Sequence, residues 1–202
     1  MRTHGWGGAT PASDEEAIER ILDAASAAID ERGATMRVAD VARALEISRQ
    51  TVYNYFPGNS LVEAVANRSG LRFIERLVAH LGGIEDPVDA LVESFAFTLE
   101  WIPDDKPVQL MLSNDLGSTS VGVTSTMAKQ FGHGILAGLD VDWAAMGMDD
   151  EAIDDLVEYM LRMLQSFMID PGRPPRRGKD LRSYIRRWLG PVVTSEIARH
   201  QR

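Results

Sequence analysis

Arg49, Gln50, Thr51 and Asn54 fall within six residues of one another, with Tyr53 and Tyr55 interleaved. These are the side chains that read nucleic acid. Arginine hydrogen-bonds to guanine, asparagine and glutamine to adenine, and threonine meets a thymine methyl or a phosphate. The two tyrosine hydroxyls can reach phosphate oxygens, which fix register without reading sequence. Such chemistry works only from a rigid support, so the surrounding pattern matters more than the residue types.

The support is legible in the run from Val38 to Phe56. Val41, Leu45, Ile47, Val52 and Tyr55/Phe56 fall where two short crossed helices must touch, and Ala42 is small at their closest approach. Ser48 precedes the second helix and can cap its free N–H groups. The outward positions of that helix are then expected to be Arg49, Gln50, Thr51 and Asn54. This is a helix-turn-helix pattern. An ordinary helical hairpin with solvated Arg49 and Gln50 would share its apolar spacing.

Asp40-Val41-Ala42, then Ile47-Ser48, then Thr51-Val52-Tyr53-x-Tyr55-Phe56 with Pro57-Gly58 after it resembles the DNA-binding domain of the tetracycline-repressor (TetR) family. The resemblance covers about residues 14–75. It implies an all-α protein, with a three-helix DNA-binding head on a larger helical body that binds an effector and dimerises. It also implies a DNA-contact set of Ser48, Arg49, Gln50, Thr51, Tyr53, Asn54 and Tyr55. Three positions depart from the family pattern. Glu46 stands where glycine is usual, Arg37 where Ser or Thr usually starts the first helix of the motif, and Asn59 where a phosphate-binding lysine is usual. A non-glycine residue with positive φ at Glu46 would cost roughly 1 kcal/mol.

The 202 residues are 45% apolar and contain no cysteine, which describes a globular chain with neither disulfides nor thiolate sites. That is compatible with a bacterial cytoplasm, the expected location. No apolar run approaches the ~20 residues that cross a bilayer, and no apolar stretch near Trp6 reads as a signal peptide. The net charge of −9 is uneven, with −2 on residues 1–76 and −7 on residues 77–202. Between Arg32 and Arg49, four arginines face Asp40 and Glu46. DNA must therefore meet a small basic patch on an acidic molecule.

In chain order, residues 1–12 read as a flexible tail, residues 13–60 as the helix-turn-helix domain and residues 61–202 as the effector-binding and dimerisation domain. Ser13-x-x-Glu16 is a capping box that opens a helix ended by Gly33. Ser60 is placed to cap a long helix to about residue 81. Body helices are expected over Pro87–Trp101, Asp105–Asn114, Val121–Leu139, Asp150–Ile169 and Lys179–His200, with Pro191 kinking or splitting the last. Gly132, Gly134 and Gly138 weaken the third.

Bulky, soft side chains are scattered over the body. Phe95, Trp101, Met111, Met127, Phe131, Tyr159 and Met163 are the expected lining of a ligand pocket as a group, although each alone reads more readily as core. Asn114, Gln130, His133 and Gln165 are its candidate polar contacts. The resemblance implies a two-fold dimer through the last two helices, and Met160, Leu164, Phe167, Tyr184, Trp188 and Val192 are the expected interface.

The acids from Asp149 to Asp155 sit at a helix start, where the helix dipole explains them without a metal. His4, His80, His133 and His200 have no metal-ligand spacing. There is no glycine-rich phosphate loop after a strand. The sequence therefore points away from an enzyme and from any cofactor. Its expected partners are double-stranded operator DNA, a small apolar effector and a second copy of itself, with no membrane. The expected role is a regulator, most simply a repressor. A helical module that grips protein with the same hairpin is the competing reading. It would expose Leu, Met or aromatic anchors where Arg49 and Gln50 stand.

Overall fold

The computed structural model describes Trp6, residues 10–112 and residues 125–201. Among these residues the regular elements are all helical: α1 (Asp14–Arg32), α2 (Val38–Ala44), α3 (Arg49–Tyr55), α4 (Ser60–Leu81), α5 (Pro87–Trp101), α6 (Lys106–Leu112), α7 (Thr126–Ala137), α8 (Asp150–Ile169) and α9 (Gly178–His200). The chain divides into two compact units. One spans Met1–Gly70 and Asp105–Ser118, the other Leu71–Asp104 and Thr119–Arg202. The first eleven residues of α4 count with the head, and so does α6, because each buries side chains there.

In the head, α1 starts at Ser13, whose hydroxyl accepts from the Glu16 N–H at 3.2 Å. The Glu16 carboxylate reaches back to the N–H of Ala12 at 2.6 Å, one residue short of the expected capping-box partner. Gly33, at φ 56, ends the helix. α2 has no hydroxyl cap. The Asp40 carboxylate accepts from the Arg37 N–H at 3.0 Å instead, an alternative way of satisfying a free helix-start donor. The core of this unit gathers Ile21, Ile29, Val41, Val52, Leu61 and Val65, all essentially inaccessible. Burying each such side chain is worth about 1.5–3 kcal/mol at most.

Two expectations need correction here. The stretch before α1 does not read as a free tail throughout, since Trp6 is 7% exposed within this core and its backbone pairs antiparallel with Ile47. Ser60 does not cap α4. It is the first helical residue, and its hydroxyl is buried without a partner among the described residues.

In the second unit α5 packs on α9 and α8, and α7 packs on α8. Asp86 caps α5 through the Asp89 N–H at 2.8 Å, with Pro87 at the first turn, where its missing donor costs nothing. Leu77, Leu91, Phe95, Val157, Ile185 and Leu189 lie at the centre of the core. Pro191 neither breaks nor splits α9, which runs on to His200. The buried Leu189, Gly190 and Val193 flank it, and their packing holds the helix across the lost hydrogen bond while Pro191 itself faces solvent. α6 and α7 are shorter than expected within the described residues, and the outer parts of both predicted segments lie outside them.

Candidate nucleic-acid interface

The recognition element is built around a turn. Glu46 takes φ 55, the left-handed conformation that glycine adopts without strain, and the Ile47 N–H donates to the Ala42 carbonyl at 2.9 Å. The chain then enters α3 through Ser48, whose Oγ accepts from the Thr51 N–H at 3.0 Å. Val52 and the following Phe56 bury one face of the helix. Arg49, Gln50, Tyr53 and Asn54 occupy the opposite, exposed face. Gln50 Nε2 donates to Asn54 Oδ1 at 3.0 Å, one helical turn away, so the two amides are pre-aligned.

Two of the expected contact residues sit differently. Thr51 is 5% exposed and does not face outward, because its hydroxyl is 2.9 Å from Ser48 Oγ and completes the cap. Tyr55 is half-buried, and its hydroxyl donates to Asp14 Oδ1 at 3.1 Å. Sequence reasoning treated every polar side chain of α3 as available. The missed signal was the Ser48-x-x-Thr51 spacing itself, which satisfies a hydroxyl locally.

The four arginines of this region do not act alike. Asp40 holds Arg32 at 3.3 Å and Arg43 at 3.1 Å. The Arg37 N–H bond, with those guanidiniums beside it, keeps the Asp40 carboxyl below its ordinary range. Arg37 and Arg49 have no carboxylate within ion-pair distance among the described residues, and both are exposed. The local positive charge open to a phosphate backbone therefore reduces to these two.

The body carries a separate cavity of about 70 Å³. It is lined by Leu91, Ser94, Phe95 and Thr98 of α5, by Gly132, Ile135 and Leu136 of α7, and by Val157, Met160, Leu161 and Leu164 of α8. Its only polar groups are satisfied, since the Ser94 and Thr98 hydroxyls donate to the carbonyls of Ala90 and Ser94 at 2.6 Å each. Of the expected pocket residues, Phe95 lines it. Tyr159 is 42% exposed and faces away, and Trp101 stacks on Phe73 at 4.4 Å. Phe131 and Met163 are half-buried elsewhere. The side chains of Met111 and Met127, and all of Asn114, lie outside the described residues. Gln130 and Gln165 are exposed, and His133 pairs with Asp154 at 2.7 Å, so none of the three lines the cavity.

The expected interface residues divide. Met160 and Leu164 turn inward to the cavity. Tyr184, Trp188 and Val192 form an exposed apolar stripe at successive turns of α9, and Trp188 is 62% exposed. Phe167 is half-buried, its ring edge-on to that of Tyr184 at 6.0 Å.

A capped, two-turn helix crossing a second short helix, in a chain whose regular elements are all helical among the described residues, is a helix-turn-helix. The comparisons agree. Residues 21–70 match the profile described as bacterial regulatory proteins, tetR family. The fold is similar to that of the TetR family repressor AlkX from Dietzia sp. strain DQ12-45-1b, implicated in biodegradation of n-alkanes. That likeness has a TM-score of 0.63 at 20% identity, over 89% of this chain and 96% of that one. The fatty acid degradation regulator FadR from Bacillus halodurans is similar with a TM-score of 0.50 at 15% identity, over 79% of this chain and 86% of that one. No curated protein matches the chain by sequence. Among the described residues, no helix is long and apolar enough to cross a membrane.

Proposed function

We propose that the protein is a homodimeric repressor that binds a palindromic operator and is released from it by a small, mostly apolar ligand held in its body. The observation that carries the reading is the exposed face of α3. Arg49, Gln50 and Asn54 stand there with Tyr53, on a helix capped at Ser48 and anchored by Val52 and Phe56. A hairpin evolved to grip protein would present apolar anchors in those places.

The exposed stripe Tyr184, Trp188 and Val192 supports the dimer, because three large apolar groups aligned in water need cover. A two-fold dimer then calls for two half-sites in inverted order. The cavity supports the apolar ligand. Its lining offers no charged group and no spare donor, so an anion would enter without compensation. The n-alkane and fatty acid associations of AlkX and FadR point the same way, but at 20% and 15% identity they add only a choice of compounds to test first. A cavity of about 70 Å³ is smaller than the roughly 150 Å³ that accommodates benzene in an engineered core. Binding must therefore part α7 from α8. A ligand that prefers the parted body weakens DNA binding through differential affinity, by a coupling of about 1–3 kcal/mol.

Selection of random duplex DNA on the purified protein tests this directly. The expected result is an inverted repeat whose half-sites lose definition in the Arg49→Ala variant. Recovery of no preferred duplex would overturn the reading.

A further inference from the structure

We infer that Trp6 and Asp14 brace the recognition helix at its two ends, and that Trp6 is a positioning residue for DNA binding. α3 is seven residues long, too short to hold its own direction, so its aim is set by what grips its two ends. Each end is gripped by one of these two residues. At the entry, Trp6 pairs through its backbone with Ile47, the residue between the strained Glu46 and the Ser48 cap. At the exit, Asp14 accepts the hydroxyl of Tyr55, the last residue of the helix. The indole of Trp6 is sunk in the head core at 7% exposure, so the entry-side grip is packed as well as paired along the backbone.

The indole Nε1 is buried without a hydrogen-bond partner among the described residues. The ring therefore acts through its shape and the backbone pairing it anchors, and phenylalanine should substitute for it. Alanine removes the anchor and leaves the Glu46 turn to relax on its own. The brace rests on the DNA-binding reading for its consequence, though not for its existence.

The test uses the full chain with three substitutions, Trp6→Ala, Trp6→Phe and Asp14→Ala. Hydrogen exchange is measured first, without DNA. The amides of α3 are expected to exchange about tenfold faster in Trp6→Ala, with those of α5 unchanged and Trp6→Phe close to wild type. Unchanged α3 exchange would overturn the brace. Binding to the selected duplex and to random duplex is then compared well below the melting temperature. Trp6→Ala is expected to lose about tenfold on the selected duplex and little on random DNA, with Asp14→Ala losing less and Trp6→Phe restoring the preference. A Trp6→Ala protein that melts earlier but keeps its full preference would make Trp6 a core residue only. Should Trp6→Ala fail to fold, Asp14→Ala carries both measurements. Failure of the wild-type chain to select any duplex would count against the DNA reading, while the exchange result still decides the brace.

Discussion

At the scale of single residues, the head combines a strained position with a small set of readers. Glu46 at φ 55 carries a steric cost of about 1–2 kcal/mol that glycine avoids, against about 0.5–1 kcal/mol of extra chain entropy that glycine loses on folding. Glu46→Gly is therefore expected to stabilise the protein by up to about 1 kcal/mol, seen as a higher denaturant midpoint at unchanged slope. Arg49→Ala and Gln50→Ala are each expected to weaken binding to the selected duplex by about 1–3 kcal/mol and to relax one base pair per half-site, as read by competition with single-substitution duplexes. Equal loss on selected and random DNA would reassign them to phosphate. Ser48 and Arg49 were legible in the sequence because spacing gives them their places, and Glu46 because the family resemblance marks its turn. Thr51 and Tyr55 were not, since the sequence does not show that a hydroxyl has already found a partner at Ser48 or at Asp14.

The helices of the body show the same division. α7 survives two glycines, with a third at its C-terminal cap, because they lie where neighbouring helices come close. A Cβ on Gly132 would stand 2.6 Å from Val157 Cγ1, and one on Gly138 would stand 2.4 Å from Val78 Cγ2. Gly132→Ala sets about 1 kcal/mol of helix propensity against about 1–3 kcal/mol of overpacking on a stiff, buried valine. A net loss of about 1 kcal/mol is expected, with a narrowed cavity and weaker uptake of apolar ligands in a thermal-shift assay. The sequence marked these glycines as helix weakeners, and only the packing shows why α7 needs them.

α5 and α9 are joined by Arg182, which meets Glu93 at 2.7 Å and Glu100 at 3.0 Å. Burial pushes the Glu100 carboxyl up, but the Arg182 and Gly178 hydrogen bonds outweigh it and hold the native value below the ordinary 4.5. The contribution of Glu100 is therefore complete above the unfolded pKa and is lost as pH falls through the lower native one. Wild type and Glu100→Gln should differ most in melting temperature at neutral pH and converge in acid. A constant gap across the titration would count against the pair.

For the whole molecule, the amphipathic spacing was enough to give the all-helical class, since each long helix turns one apolar stripe inward. It was not enough to sort inward from outward where a helix has two apolar faces. On α8, Met160 and Leu164 go to the cavity while Tyr159 goes to solvent, and both choices satisfy the same periodicity. The proposed assembly rests on the outward set. Trp188→Glu is expected to convert a sedimenting dimer to monomer with its helical circular dichroism intact, because a side chain 62% exposed contributes little to the protomer core. A variant that stays dimeric would move the interface elsewhere. The head raises a different issue. It is assembled from two separate stretches, Met1–Gly70 and Asp105–Ser118. Asp105 binds the Ser69 hydroxyl, Lys106 donates to the Asp30 carbonyl, and Pro107 and Val108 are buried. A head severed at Gly70 would expose the apolar seat of α6 and lose both tethers. Modular exchange between regulators, in the laboratory or by recombination between genes, must therefore transplant both stretches together, and a crossover between them would leave the graft with half of its own foundation.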